Sequence, residues 1–218
     1  MDLSIFLQPY EPSENLTSLS QNSRLIKQFV GYSGDPDSLN GVSIAIIGVC
    51  DDRGQRISAG TGKAPDLVRQ ELYALYQPES LVSWIDMGNI LPGATLEDTY
   101  FAVKEVCQEL IKRDIVPVII GGSQDITLGN YWAYESLEQT VNLVTVDYRL
   151  DFGQSAKEQN HLNYLNRIIL HKPNYLFNYT NLAHQLYLTE PELIQLMQKM
   201  YFDSNRLGEV QSSIAFAE

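Results

Sequence analysis

Continuous apolar runs alternate with amphipathic stretches along most of this chain. The runs at 42–49, 115–120 and 141–146 are rich in Val and Ile, the pattern of parallel strands covered on both faces. A shorter run at 81–85 ends in Asp86-Met87-Gly88-Asn89 and reads as a fourth strand. Helical periodicity fills the gaps. Over 64–76 Pro65 comes early, and Leu67, Val68, Leu72 and Leu75 form an apolar face. Over 96–112 that face is Val103, Val106, Leu110 and Ile111, and a further helix is expected over 126–137. This alternation predicts an α/β fold: a three-layer α/β/α sandwich with a mainly parallel sheet and right-handed crossovers.

The flanks read differently. Residues 1–40 are polar and turn-rich, with Pro9, Pro12, Gly31, Gly34 and Pro36. They predict an arm with one or two helical turns at 24–30. It lies on the domain or on a neighbouring subunit, or else forms a loose tail. Residues 41–218 are the domain proper. Past Asp151 a helix is expected over 154–170, with Leu162, Leu165, Ile168 and Ile169 as its stripe. Short strands follow at 174–179 and 184–188. The next helix, 191–201, is expected to start from Thr189 as N-cap with Glu192 at N3, and 207–217 is again helix-like.

Bulk properties narrow the function classes. A chain of 218 residues is long enough for one domain with a real core. The formal net charge of −12 comes with no basic run, which argues against nucleic acid and anionic membranes as partners. No apolar run approaches a membrane span, and the N-terminus lacks the pattern of a signal peptide. Cys50 and Cys107 stand far apart in apolar surroundings. They read as free thiols in a reducing compartment, which points to the cytoplasm. Gly60 and Gly62 complete neither phosphate-binding glycine pattern. Of the three histidines, His161, His171 and His184, only His161 is near enough in sequence to Asp151 to reach the same crevice.

The candidate chemistry sits at the ends of two strands, where open α/β sheets place their ligands. Gly121-Gly122-Ser123-Gln124-Asp125 follows the 115–120 run, and Asp147-Tyr148-Arg149-Leu150-Asp151 follows the 141–146 run. With Gly48–Asp52 and the 58–69 stretch upstream, these segments resemble the ureohydrolase superfamily of arginases, agmatinases and formimidoylglutamases, from about residue 42 to 151. The resemblance implies an arginase-like fold, a homo-oligomer, and a Mn2+ pair whose bridging hydroxide attacks a linear amidine or guanidine. Candidate substrates are formimidoylglutamate, arginine and agmatine.

It also exposes departures. Asp147 and Asp151 keep ligand positions, but the histidines that the family places nearby fall on Gln124 and Arg149. No Asp-x-Asp follows residue 151, so either the native chain is longer or that strand is lost. An amide is a weak ligand and a guanidinium is none. Arg149 is therefore expected to pair with Asp147 or Asp151 and to replace the metal's charge. No bound metal is predicted and no residue is assigned a catalytic role. Gly121, Gly122, Ser123 and Asp125 are expected to line a crevice able to take a small molecule. The competing expectation is a metal-dependent C–N hydrolase using Asp147 and Asp151 as ligands.

Overall fold

A computed structural model describes residues 2–19, 24–55, 60–77, 82–152 and 160–215. The chain divides into two compact units, Met1–Ala133 and Tyr134–Glu218. The expected α/β character is present in both. The strands, however, form one sheet in each unit: four strands in the first and three in the second.

In the first unit, β2 (Ile44–Val49) is central, with β3 (Trp84–Ile90) and β4 (Val116–Ile120) parallel on either side. The two-residue β1 (Leu7–Gln8) adds an antiparallel edge, Leu7 facing Ile90. Helix α2 (Ala64–Ala74) packs on β2 and β4, and α3 (Leu96–Ile111) packs on β3 and β4. The start of α3 is fixed by a capping box: Asp98 N donates to Thr95 Oγ1 at 3.2 Å and Thr95 N to Asp98 Oδ2 at 2.7 Å.

The first forty residues lie on this unit. Leu16 of α1 (Glu14–Ser18) and Ile26 of the 3-10 turn Leu25–Gln28 join Ile46 and Tyr73 in one core cluster. Tyr73 stacks on Trp84 at 5.3 Å and meets Phe29 edge-on at 5.7 Å. Cys107 is fully buried in α3, and burial pushes its thiol up to about 12.

In the second unit β5 (Val141–Val146), β6 (Leu176–His184) and β7 (Asp203–Arg206) are all parallel. They are accompanied by α5 (Tyr164–Ile169), α6 (Pro191–Lys199) and α7 (Leu207–Ala215), while α4 (Thr127–Ser136) leads into the unit. Tyr179 packs edge-on against Phe152 and Phe202 at 6.2 and 5.8 Å.

Several expectations need correction. The buried face of α2 is Pro65, Arg69 and Tyr73 at four-residue spacing, whereas Leu67, Val68 and Leu75 are exposed. An ion pair, described below, turns the helix this way. β3 does not stop at Ile85 but runs through 86–89 to Ile90, because Asp86 and Asn89 are satisfied inside the unit. Leu81 lies outside the described residues, as do 153–159 and 216–218. Of the helix expected over 154–170, only Tyr164–Ile169 is helical among the described residues. Of the two short strands expected at 174–179 and 184–188, the first is present but runs on to His184 as β6, and the second is replaced by a 3-10 turn at Leu186–Leu188. Helix α6 takes Glu190 as its N-cap with no side-chain bond, because Pro191 sets the helical φ one residue after Thr189. β1 and β7 were not anticipated. Finally, β4 and β5 are not covered on both faces: Val116, Val118, Val144 and Val146 are exposed.

Candidate functional site

Parallel strands end together, so the turns after β2 and β4 meet. Ser123 N donates to Asp51 O at 3.0 Å, and Gly122 N donates to Thr61 O at 3.2 Å. Gly121 and Gly122 take φ of +79° and +74°, which L side chains rarely adopt. A Cβ on Gly121 would also press on the Pro65 ring at the start of α2. The double glycine therefore lets the β4 turn pass under α2.

What these turns present is mostly already engaged. Asp51 is 1% exposed and accepts from Arg53 Nη2 at 2.7 Å and Thr99 Oγ1 at 2.6 Å. Burial alone would raise its pKa, but the Arg53 and Thr99 bonds outweigh burial and hold it below the usual carboxylate range. Arg53 also reaches the carbonyls of Ala94 and Thr95 at 3.2 and 3.1 Å, tying this turn to the start of α3. Asp52 accepts from Gly60 N at 2.6 Å.

Ser123 and Asp125 were expected to line an open crevice, but both are buried. Asp125 accepts from the Tyr100 hydroxyl and packs against Gly54, where a Cβ would collide with its carboxylate. The short 3-10 turn Gln124–Ile126 directs Asp125 inward and leaves Gln124 exposed.

A second polar cluster in the same unit was not anticipated. Arg69 is completely buried and donates to Asp86 twice, through Nε and Nη2, both at 2.8 Å. It also donates to Asn89 Oδ1 at 2.5 Å and Gly88 O at 2.9 Å, and its Nη1 lies 3.5 Å from Asp66. Asp86 also accepts from Gly88 N at 2.8 Å and from the Tyr73 hydroxyl. Desolvation first, then the Asp86 charge, raises the Tyr73 phenol well above its usual range. Gly88 sits at φ +83°, and a Cβ there would strike the Gln8 carbonyl of β1. This cluster fastens α2 to β3; its groups bond one another.

In the second unit the β5 turn carries the retained carboxylates. Asp147 Oδ1 accepts the backbone N–H of Arg149 at 3.1 Å, so the chain turns two residues after Val146 and strand alternation ends there. β6 holds the turn by Asp147 N to Leu182 O at 3.0 Å and Gln185 N to Tyr148 O at 2.9 Å. The Asn181 amide adds bonds to the carbonyls of Asp147 and Arg149.

Arg149 departs from expectation. Its guanidinium lies 4.6 Å over the Tyr148 ring, and among the described residues no ion pair joins it to Asp147 or Asp151. The Asp147 turn removes the strand geometry that would have leaned the three side chains to one side. Asp151 is 3% exposed; burial and then the Asp147 charge push its carboxyl up to about 7, against the pull of Arg149.

His161 and His184 are buried, and His171 Nε2 lies 2.6 Å from Glu135. Among the described residues no group of three or more His, Cys, Asp or Glu is arranged to hold a metal ion. Nor is any described helix long and apolar enough to cross a membrane.

Residues 42–196 match the arginase family. Formimidoylglutamase from Clostridium tetani (strain Massachusetts / E88) is 28% identical over 123 residues, covering 50% of this chain and 36% of that protein. An uncharacterized 32.2 kDa protein in the hmfB 3' region of Methanothermus fervidus is 27% identical over 150 residues, 63% of this chain and 52% of its own. This chain thus spans about a third to a half of the length of these curated relatives. Among solved structures, Trypanosoma cruzi formiminoglutamase with Mn2+2 superposes with a TM-score of 0.76 at 22% identity, covering 89% of this chain and 68% of the other. The chain belongs to the arginase family.

Proposed function

We propose that this chain is an arginase-fold scaffold whose strand-end turns bind a small molecule and do not by themselves form a competent two-manganese hydrolase site. The donor set carries this reading. Of the positions that match the family's ligands, Asp147 and Asp151 keep carboxylates, Arg149 brings a fixed positive charge, and Gln124 offers only an amide. Two carboxylates beside a guanidinium do not suit a pair of divalent ions, each of which needs several anionic or imidazole donors. Elemental analysis after dialysis tests this directly: manganese and zinc well below one ion per chain are expected. Close to two per chain would overturn the reading.

One observation favours the hydrolase as a second reading. Among the described residues Arg149, which stacks on Tyr148, forms no ion pair with Asp147 or Asp151, so its guanidinium does not take the place of a cation. A metal supplied with further donors would there activate water against a linear amidine or guanidine such as formimidoylglutamate, arginine or agmatine.

The acidic chain is not built for nucleic acid or membrane surfaces. Its two free cysteines suit a reducing, cytoplasmic compartment. The partner we propose is a second copy of the chain. The exposed valines of β4 and β5 support this, because apolar strand edges invite pairing. Light scattering should give a dimer or larger; a monodisperse monomer would reject it.

A further inference from the structure

We infer that Asn181 is the positioning residue of the β5 turn: its buried amide clamps the carbonyls of residues 147 and 149 and so fixes where the Asp147 and Asp151 carboxylates stand. The inference rests on reading that turn as the ligand-facing element.

Asn181 sits in β6 directly opposite Thr145 and is 0% exposed. Its Nδ2 group donates toward three acceptors: Thr145 Oγ1 at 3.1 Å, Arg149 O at 3.1 Å and Asp147 O at 3.4 Å. An amide has two hydrogens, so one of them is shared. Asparagine is disfavoured inside strands, and a residue chosen for the β6 ladder alone would be apolar or β-branched here.

The amide's own acceptor does not explain it either, since Oδ1 is buried without a hydrogen-bond partner. A buried acceptor left unmade is costly. The donor side is therefore what this position uses, and two of its three targets are main-chain carbonyls of the turn.

The consequence is geometric. The two clamped carbonyls lie in the peptides that follow Asp147 and Arg149, the first next to the Asp147 side chain and the second one peptide before that of Asp151. The Asp147 carboxylate in turn accepts the Arg149 N–H at 3.1 Å, closing a ring of bonds: amide to carbonyl, carboxylate to N–H. The backbone bonds from Leu182 and Gln185 hold residues 147 and 148, but the only bond holding the Arg149 carbonyl among those described comes from Asn181. Thr145 shares the amide yet touches no turn carbonyl; its hydroxyl pairs with the Tyr179 hydroxyl at 2.8 Å. That separates a clamp from a packing partner.

Amide hydrogen exchange at Arg149, corrected for global stability from urea unfolding, tests this. Asn181→Asp keeps the shape and removes both donors; Asn181→Leu removes the polarity; Thr145→Val removes a neighbouring bond of the same network. Both Asn181 variants should speed exchange at Arg149 at least about tenfold beyond the global change, while amides inside β5 and β6 keep their protection. Thr145→Val should not. If Asp and Leu prevent folding, Asn181→Ser, which keeps one donor, should give a smaller but local increase. Exchange at Arg149 that merely follows global stability, or that rises equally in Thr145→Val, would overturn the assignment. The readout is motion of the turn and not ligand uptake, so it stands or falls independently of whether the turn binds anything.

Discussion

Replacing Arg69 with methionine is expected to cost the first unit about 3–5 kcal/mol, the range for breaking a buried ion pair from one side. Arg69 and Asp86 are both fully buried in their side chains and joined by two 2.8 Å bonds. Methionine would leave the Asp86 carboxylate in place, still accepting from Gly88 N and Tyr73 but without a counter-charge. It would also orphan the Gly88 carbonyl and the Asn89 amide oxygen, which Arg69 satisfies. Lysine is a poor rescue, since one ammonium cannot match a fork that reaches four oxygens.

The double replacement Arg69→Met/Asp86→Leu should recover much of the loss, because removing both charges also removes their desolvation cost. The size matters because a whole domain is stable by only about 5–15 kcal/mol. Urea unfolding followed through Trp84, which stacks on Tyr73 beside the pair, reads the first unit. A loss below about 1 kcal/mol would mean the pair behaves as a surface bridge, and the role given to Arg69 would be wrong.

That cluster also shows where the sequence could be read and where it could not. Apolar runs located β2, β4 and β5 to within a residue or two because a strand's hydrophobic signal is local. Helix α3 was legible for the same reason. The face of α2 was not. Hydrophobicity favoured Leu67, Val68 and Leu75, but the helix turns Arg69 inward because Asp86, seventeen residues later, waits there. A long-range ion pair leaves no periodicity. β7, with the sequence Asp-Ser-Asn-Arg, has no hydrophobic signal at all; only pairing with β6 makes it a strand.

The candidate site divides the same way. The resemblance to the ureohydrolases picked out Gln124, Asp147, Arg149 and Asp151 as the positions that match the family's ligands. The engagements of Asp147 and Arg149 could not be read, because they depend on side chains outside the motif or on the turn itself: Asn181 on β6 and the ring of Tyr148. Nothing in the sequence marked Asn181, which falls between the strands expected at 174–179 and 184–188 in a stretch that also carries Asn178.

The exchange Arg149→His is expected to raise Mn2+ affinity by at least about tenfold over the unaltered chain. A unit charge a few ångströms from an ion is worth roughly 1–4 kcal/mol between bulk water and a protein surface, and each 1.4 kcal/mol is about a factor of ten. Histidine removes that repulsion and supplies an imidazole donor in the same stroke.

Protons compete for the same carboxylate. The Asp151 carboxyl stands at about 7, raised by burial and by Asp147, with Arg149 pulling the other way. Below that value the group is mostly protonated and must lose its proton to bind a cation, so affinity should climb as pH rises through 7. Removing Arg149 takes away the pull that lowers the value, which moves the climb to higher pH. Titration of Mn2+ at pH 6 and pH 8 should therefore show the gain mainly at pH 8. Equal affinity in the variant and the unaltered chain at pH 8 would show that Arg149 does not govern cation binding, and the reading of the β5 turn as a site disabled by its arginine would have to be given up.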